Sequence, residues 1–156
     1  MRPSRLLGSE ADAAMTSVHF AHSRLLHTML RVASLERAIA FYCGQLGMRV
    51  LRRSDHPHGR FTLVFLGYAD EDHAAALELT HNWDASTYQQ GTAYGHIAIA
   101  VSDLAGACEA LHRAGVHILR PPGPLHDDPS EWIAFVKDPD GYCVELIQRD
   151  GAMTTP

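Results

Sequence analysis

The chain contains one unit written twice. Setting His27 against His96 aligns HTMLRVASLERAIAFYCGQLGMRVLR with HIAIAVSDLAGACEALHRAGVHILR, so that Val32 meets Val101, Leu35 meets Leu104 and Ala38 meets Ala107 at an offset of 69. A one-residue gap then brings Gly47 onto Gly115 and VLR (50–52) onto ILR (118–120). Further on, ALELT (76–80) matches CVELI (143–147), which places Glu78 on Glu145 at an offset of 67. Self-similarity at such a period means one supersecondary unit present in two copies, so the fold must be one that half the chain encodes and the pair completes. Each half opens on a His and closes on a Glu, 51 and 49 positions apart.

The local pattern of the halves agrees. Residues 25–32 alternate as a strand, and Ser34 then caps a helix whose apolar stripe is Leu35, Ala38, Ile39, Tyr42 and Leu46, with Gly47 to end it. In the second half Asp103 is the cap, Leu104, Ala107, Cys108 and Leu111 are the stripe and Gly115 is the stop. Three strands follow in each, over 48–54, 60–67 and 74–82, then 116–120, 131–137 and 142–148, with DPDG (138–141) as a turn. The expected architecture is α+β: two βαβββ modules of mixed sheet that together form a concave half-barrel. Residues 24–82 make the first module and 94–148 the second, joined by a linker over 83–93. Residues 1–23 lack periodicity and read as a mobile arm in which Met15 is an alternative start, and 149–156 read as a C-terminal tail.

A sheet with one helix against it leaves its other face open. Residues two apart in a strand point the same way, so His27, Met29 and Arg31 share a face against Thr28, Leu30 and Val32. Glu78 shares its face with Ala76, Thr80 and Asn82, and Glu145 with Cys143 and Ile147, while Leu77, Leu79, Val144 and Leu146 turn the other way. His96 sits beside Ala98 and Ala100, small residues that leave room. With the apolar partners facing the helices, the His and Glu positions line the concave surface. Met29, Leu63 and Phe65 are read as either walls of the cavity or core, with core the preferred reading.

Carboxylates removed from water are costly unless paired, hydrogen-bonded or bound to metal, and one divalent cation satisfies both glutamates. Two imidazoles and two carboxylates form a borderline N/O donor set unlike the closed thiolate sites of structural zinc. In a six-coordinate ion they leave two positions for water or substrate. The other histidines, His19, His22, His56, His58, His73, His112 and His117 among them, fall in the arm, in loops or at surface positions and are not assigned.

Charge narrows the partners. The net charge is −5 and no Lys/Arg-rich run occurs, which argues against nucleic acid and anionic membranes and for small molecules. Apolar stretches fall far short of a bilayer span, no secretory pattern opens the chain, and Cys43, Cys108 and Cys143 form no CxxC and read as buried reduced thiols. The expected compartment is the cytoplasm.

The segments RLLHTMLRV (24–32), FTLVFLGY (61–68), LELTHNW (77–83), GTAYGHIAIAV (91–101) and AFVKDPDGYCVELI (134–147) resemble the glyoxalase I (lactoylglutathione lyase) family of the vicinal oxygen chelate superfamily. The resemblance covers about 25–148. It implies His27, Glu78, His96 and Glu145 as metal ligands. It also implies a homodimer in which His27 and Glu78 of one chain meet His96 and Glu145 of the other. The sequence alone leaves pairing within or between chains open, since the 11 residues between Asn82 and Tyr94 reach across roughly 36–40 Å when extended.

The implied reaction is isomerisation of the hemithioacetal of glutathione and methylglyoxal to S-lactoylglutathione through an enediolate. A carbon acid of this kind needs a metal beside its oxygens and a carboxylate base. The resemblance assigns the principal base to Glu145, with Glu78 as ligand and second proton carrier, and gives Arg31 and Asn82 to the glutathione tail. His rather than Gln at the first ligand position resembles the bacterial nickel/cobalt type, so Ni(II) is expected, with Co(II) or Zn(II) as alternatives. One departure is PPGPLHDDPSE (121–131), where His126 and acidic residues stand in place of a lysine of relatives, which puts the thiol co-substrate in question. The alternatives are another metalloenzyme of the superfamily (epimerase, dioxygenase or thiol transferase) and a metal-free small-molecule-binding module.

Overall fold

The computed structural model describes residues 20–150. Most of the expected arm, with Met15 and His19, and most of the expected tail lie outside the described residues. The elements run β1 (His27–Arg31), α1 (Leu35–Ile39), a π-helical segment (Ala40–Gln45), β2 (Arg49–His56), β3 (Phe61–Gly67) and β4 (Ala76–Asn82). The second half gives β5 (His96–Val101), α2 (Leu104–Arg113), β6 (Ile118–Pro124), β7 (Trp132–Lys137) and β8 (Cys143–Gln148). Two four-stranded sheets result, ordered β1-β4-β3-β2 and β5-β8-β7-β6. In each, the first strand lies parallel to the last and the remaining pairs are antiparallel, so the expected pair of mixed βαβββ units is present. The sheets are not closed on themselves.

Local chemistry explains the boundaries. Ser34 Oγ accepts from the Arg37 N–H at 3.3 Å and an Asp103 carboxylate oxygen from the Gly106 N–H at 2.9 Å, each satisfying a donor left over at a helix start. Gly47 and Gly115 end the helices at φ 76° and 81°, a left-handed conformation that costs a side-chain-bearing residue about 1–2 kcal/mol. Leu30, Val32, Leu77 and Leu79, with Val144 and Leu146, are buried as the alternation requires. Ala76 and Thr80 are buried as well, on the opposite face, because β4 lies inside its sheet between β1 and β3.

The first helix departs from expectation. A regular helix was expected from Ser34 to Gly47, but after Ile39 the backbone widens, and the Leu46 N–H donates to the Phe41 carbonyl five residues back at 3.0 Å. A π turn holds one residue more than an α turn. It falls inside the stretch where the first half carries one residue more than the second, so the gap in the repeat is a helical bulge rather than a longer loop. The widening lets the adjacent Phe41 and Tyr42 both reach the core.

β6 also differs, running through Pro121, Pro122 and Pro124, which were read as loop. It is an edge strand with an irregular register against β7, the position where proline is tolerated because no ladder donor is needed on the open side.

The modules share one apolar core that includes Leu30, Val32, Tyr42 and Leu79 of the first and Leu104, Leu111, Val144 and Leu146 of the second. The turn at 138–141 fastens them. Buried Asp138 accepts from the Tyr42 hydroxyl at 2.9 Å and from the Tyr142 and Asp140 N–H groups at 2.8 and 2.9 Å. Asp140 accepts from the Ala33 N–H at 3.0 Å, Arg37 donates to the Pro139 carbonyl at 2.8 Å, and the Tyr142 hydroxyl donates to the Arg31 carbonyl at 2.9 Å. The last of these links the end of β1 to the residue that precedes β8. Those are the strands that carry His27 and Glu145.

Candidate metal centre

The sheet register places the four singled-out side chains. His27 lies opposite Ala76 and Glu78 opposite Met29, so His27 and Glu78 are diagonal neighbours on one face of β1 and β4. His96 lies opposite Cys143 and Glu145 opposite Ala98, which repeats the diagonal on β5 and β8. In both, imidazole Nε2 stands 3.0 Å from glutamate Oε2. The side chains of Glu78 and Glu145 are 12% and 13% exposed, those of His27 and His96 38% and 43%. Each half therefore holds a largely desolvated carboxylate against one imidazole whose other side is open.

The four do not converge within one chain. Among the described residues no three His, Cys, Asp or Glu side chains gather closely enough to hold a metal. The duplicated frame is two separate His–Glu pairs, one per sheet, because each His meets the Glu of its own module through parallel strand pairing. Each pair offers one nitrogen and one oxygen donor. The chemistry suits a borderline divalent cation, and two such pairs brought face to face would supply four donors.

Aromatic and cationic side chains surround each pair in the same order. Phe65 lies opposite Glu78 in the register and meets the His27 ring edge-to-face at 5.4 Å. Phe135 lies opposite Glu145 and meets the His96 ring at 5.4 Å. One strand further out, Arg52 lies opposite Phe65 with its guanidinium carbon 3.2 Å from the ring centroid, and Arg120 lies opposite Phe135. Phe65 is thus buried and also a wall of the site, which joins the two readings made of it, while Met29 is 40% exposed and not core. Phe135, Arg52 and Arg120 were not singled out from sequence. The match of VLR to ILR was the available signal for the two arginines.

The cations differ in their partners. Arg52 donates to both Glu71 oxygens at 2.7 and 3.1 Å, and those hydrogen bonds hold the Glu71 carboxyl below the usual range. Arg120 donates to the Pro124 carbonyl at 2.7 Å and has no acidic partner among the described residues. Arg31 is exposed at the end of β1, and Asn82 at the end of β4 donates to the Tyr88 hydroxyl at 3.1 Å. His126 is exposed in the loop after β6.

One further contact breaks the symmetry. The Thr80 hydroxyl donates to Glu78 Oε1 at 2.9 Å, so both Glu78 oxygens are engaged. The position two residues past Glu145 is Ile147, which has no hydroxyl, and Glu145 has no partner beyond His96 among the described residues.

Other features stand apart from the pairs. A cleft of about 360 Å³ lies between the π-helical segment and α2, lined by Leu46, Tyr68, Ile99, Leu111 and Leu146 among others and by none of the four candidate ligands. All three cysteines are free; Cys108 is buried, and Cys43 and Cys143 are half-buried rather than buried. No helix among the described residues is long and apolar enough to cross a membrane.

The paired βαβββ sheets define a class that comparison with known proteins identifies: the chain belongs to the Glyoxalase/Bleomycin resistance protein/Dioxygenase superfamily, whose profile matches residues 24–146. Within it the chain is similar to the lactoylglutathione lyase of Neisseria meningitidis serogroup A, 55% identical over 126 residues that span 81% of this chain and 91% of that one. The lactoylglutathione lyase of Haemophilus influenzae is 52% identical over 81% of this chain and 93% of its own. Among solved structures, glyoxalase I of Zea mays superposes with a TM-score of 0.81 at 41% identity, over 87% of this chain and 48% of that one, so the present chain spans about half the maize protein. The trypanothione-dependent glyoxalase I of Leishmania major superposes with a TM-score of 0.72 at 45% identity, over 81% and 86%.

Proposed function

We propose that this chain is a metal-dependent lyase that isomerises the hemithioacetal of glutathione and methylglyoxal to S-lactoylglutathione. The observation that carries the reading is the duplicated His–Glu pair, with the same diagonal register and the same 3.0 Å contact in both sheets. The similarity to proteins named lactoylglutathione lyase supports the substrate.

The working form is a homodimer in which His27 and Glu78 of one protomer face His96 and Glu145 of the other, giving two centres. Its support is that the described residues of one chain supply only two-donor halves. A divalent cation held by these four side chains would supply Lewis acidity for the negative charge that develops on substrate oxygen. Ni(II) is favoured, on the strength of His rather than Gln at position 27, with Co(II) or Zn(II) as alternatives.

The chemistry left to the side chains is a proton shuttle. The carbon bearing sulfur and hydroxyl loses its proton, and the adjacent carbonyl carbon gains one. A carboxylate able to leave its resting contact serves as base, and Glu145, with no protein partner but His96 among the described residues, is that carboxylate; Glu78 remains as ligand and second proton carrier. Phe65 and Phe135 pack against the imidazoles and keep water from one side of each pair. Arg31 and Asn82 take the polar ends of the thiol peptide. Glutathione is the proposed thiol. The Leishmania relative uses trypanothione, so both thiols belong in the assay. Free cysteines suit a reducing compartment, and we assign the chain to the cytoplasm.

The test is thioester formation from methylglyoxal with either thiol, on chelator-treated protein before and after adding nickel, cobalt or zinc. Activity restored by metal, highest with nickel and glutathione, is expected. A folded protein inactive with every metal and both thiols would sink the proposal.

A further inference from the structure

Duplication made the two carboxylates alike, so something outside the repeat must make one a fixed ligand and the other a mobile base. We propose that Thr80 is the residue that does so. Its hydroxyl donates to Glu78 Oε1 at 2.9 Å while His27 Nε2 lies 3.0 Å from Oε2, so Glu78 is held at both oxygens. Thr80 is itself 8% exposed and sits inside β4, opposite Arg31 on one side and Leu63 on the other, so its side chain has little room to turn away. The same place in the second sheet is Ile147, opposite Ala100 and Ile133, and it offers Glu145 nothing but methyl groups. Apart from its bond to the cation, Glu145 therefore swings free at the cost of one contact, to His96, and Glu78 only by breaking two.

Thr80 is a positioning residue: it acts on the substrate only through Glu78. Its hydroxyl holds the first half-site ready for a cation, and the lack of a hydroxyl at Ile147 leaves Glu145 free to leave and return. A hydrogen bond to a charged group is stronger than one between neutral groups, so a single hydroxyl suffices to separate the roles.

This inference rests on the proposed metal centre, and its test separates the two. Ni(II) binding to chelator-treated protein, followed by calorimetry, is compared for wild type, Thr80→Val and Thr80→Ser. Thr80→Val should weaken binding about fivefold to tenfold and Thr80→Ser should bind as wild type, a rescue that lost packing alone would not produce. The reverse change supplies the second readout. Ile147→Thr places a hydroxyl two residues from Glu145 and should lower kcat about tenfold with KM within twofold of wild type and no loss of Ni(II) affinity, whereas Ile147→Val should turn over normally. Equal Ni(II) affinity of Thr80→Val and Thr80→Ser, or equal turnover of Ile147→Thr and Ile147→Val, would overturn the role given to Thr80 alone. Wild-type protein that binds none of Ni(II), Co(II) and Zn(II) would overturn the centre and this role together.

Discussion

At the scale of single residues, the site is built from identical diagonals that differ in what stands behind them. A carboxylate serves as general base only if it can reach the carbon-bound proton and then return it, and such catalysis is worth about 10²–10⁴-fold in rate. Glu145→Gln keeps the shape and the contact distance but removes the basic oxygen. Its turnover should fall by about that factor while circular dichroism and unfolding remain those of the wild type. Retention of most activity would mean that Glu78 carries the proton instead.

At the scale of elements, caps and stops decide where each half begins to turn. The Asp103 carboxylate accepts from the Gly106 N–H at the start of α2, and a methyl at Gly106 would collide with that carboxylate. Asp103→Ala should therefore cost about 1 kcal/mol in chemical denaturation. Since α2 stands behind the second sheet rather than in the site, KM should not change. The π-helical segment is the element where the halves differ most. The extra residue it absorbs turns Tyr42 toward Asp138, so a one-residue difference between the repeats became part of the contact that joins the modules.

At the scale of the whole molecule, the modules meet through a shared core and the 138–141 turn, while the two His–Glu pairs stay apart. If two chains complete each other's centres, His27→Ala and His96→Ala are both inactive alone, yet a mixed dimer joins one intact His27–Glu78 half to one intact His96–Glu145 half. Unfolding the two variants together and refolding them should recover about a quarter of wild-type activity, as random pairing in a two-fold dimer dictates. No recovery would overturn the shared centres. The turn makes a separate prediction about pH. Burial pushes the Asp138 carboxyl above its ordinary range, an effect only partly opposed by the hydrogen bonds from Tyr142, Tyr42 and Asp140. Between the unfolded and folded pKa values the native state keeps a proton that the unfolded chain has released, so this group's contribution is fully present below the ordinary carboxylate pKa and declines as pH rises through the folded one. The stability difference between wild type and Asp138→Asn, measured by denaturant titration across pH, should accordingly shift against the wild type as pH rises. A flat difference would place the Asp138 pKa at its unfolded value.

The amino-acid sequence by itself determined the repeating unit, the caps at Ser34 and Asp103, the glycine stops, and the alternation that puts His27, Glu78, His96 and Glu145 on one side of their strands. These are local properties, set by backbone geometry over a few residues, and periodicity reports them directly. Only the tertiary structure decided that β1 pairs with β4 and β5 with β8, and hence that each His meets the Glu of its own half and the quartet is two pairs rather than one cluster. Strand pairing across some fifty residues is a long-range choice that no window of sequence contains. The same holds for the rows of Arg, Phe and Glu that cross three strands and for the hydroxyl of Thr80 on Glu78. Whether a side chain two residues from a carboxylate reaches it depends on how tightly the neighbouring strands pack around both.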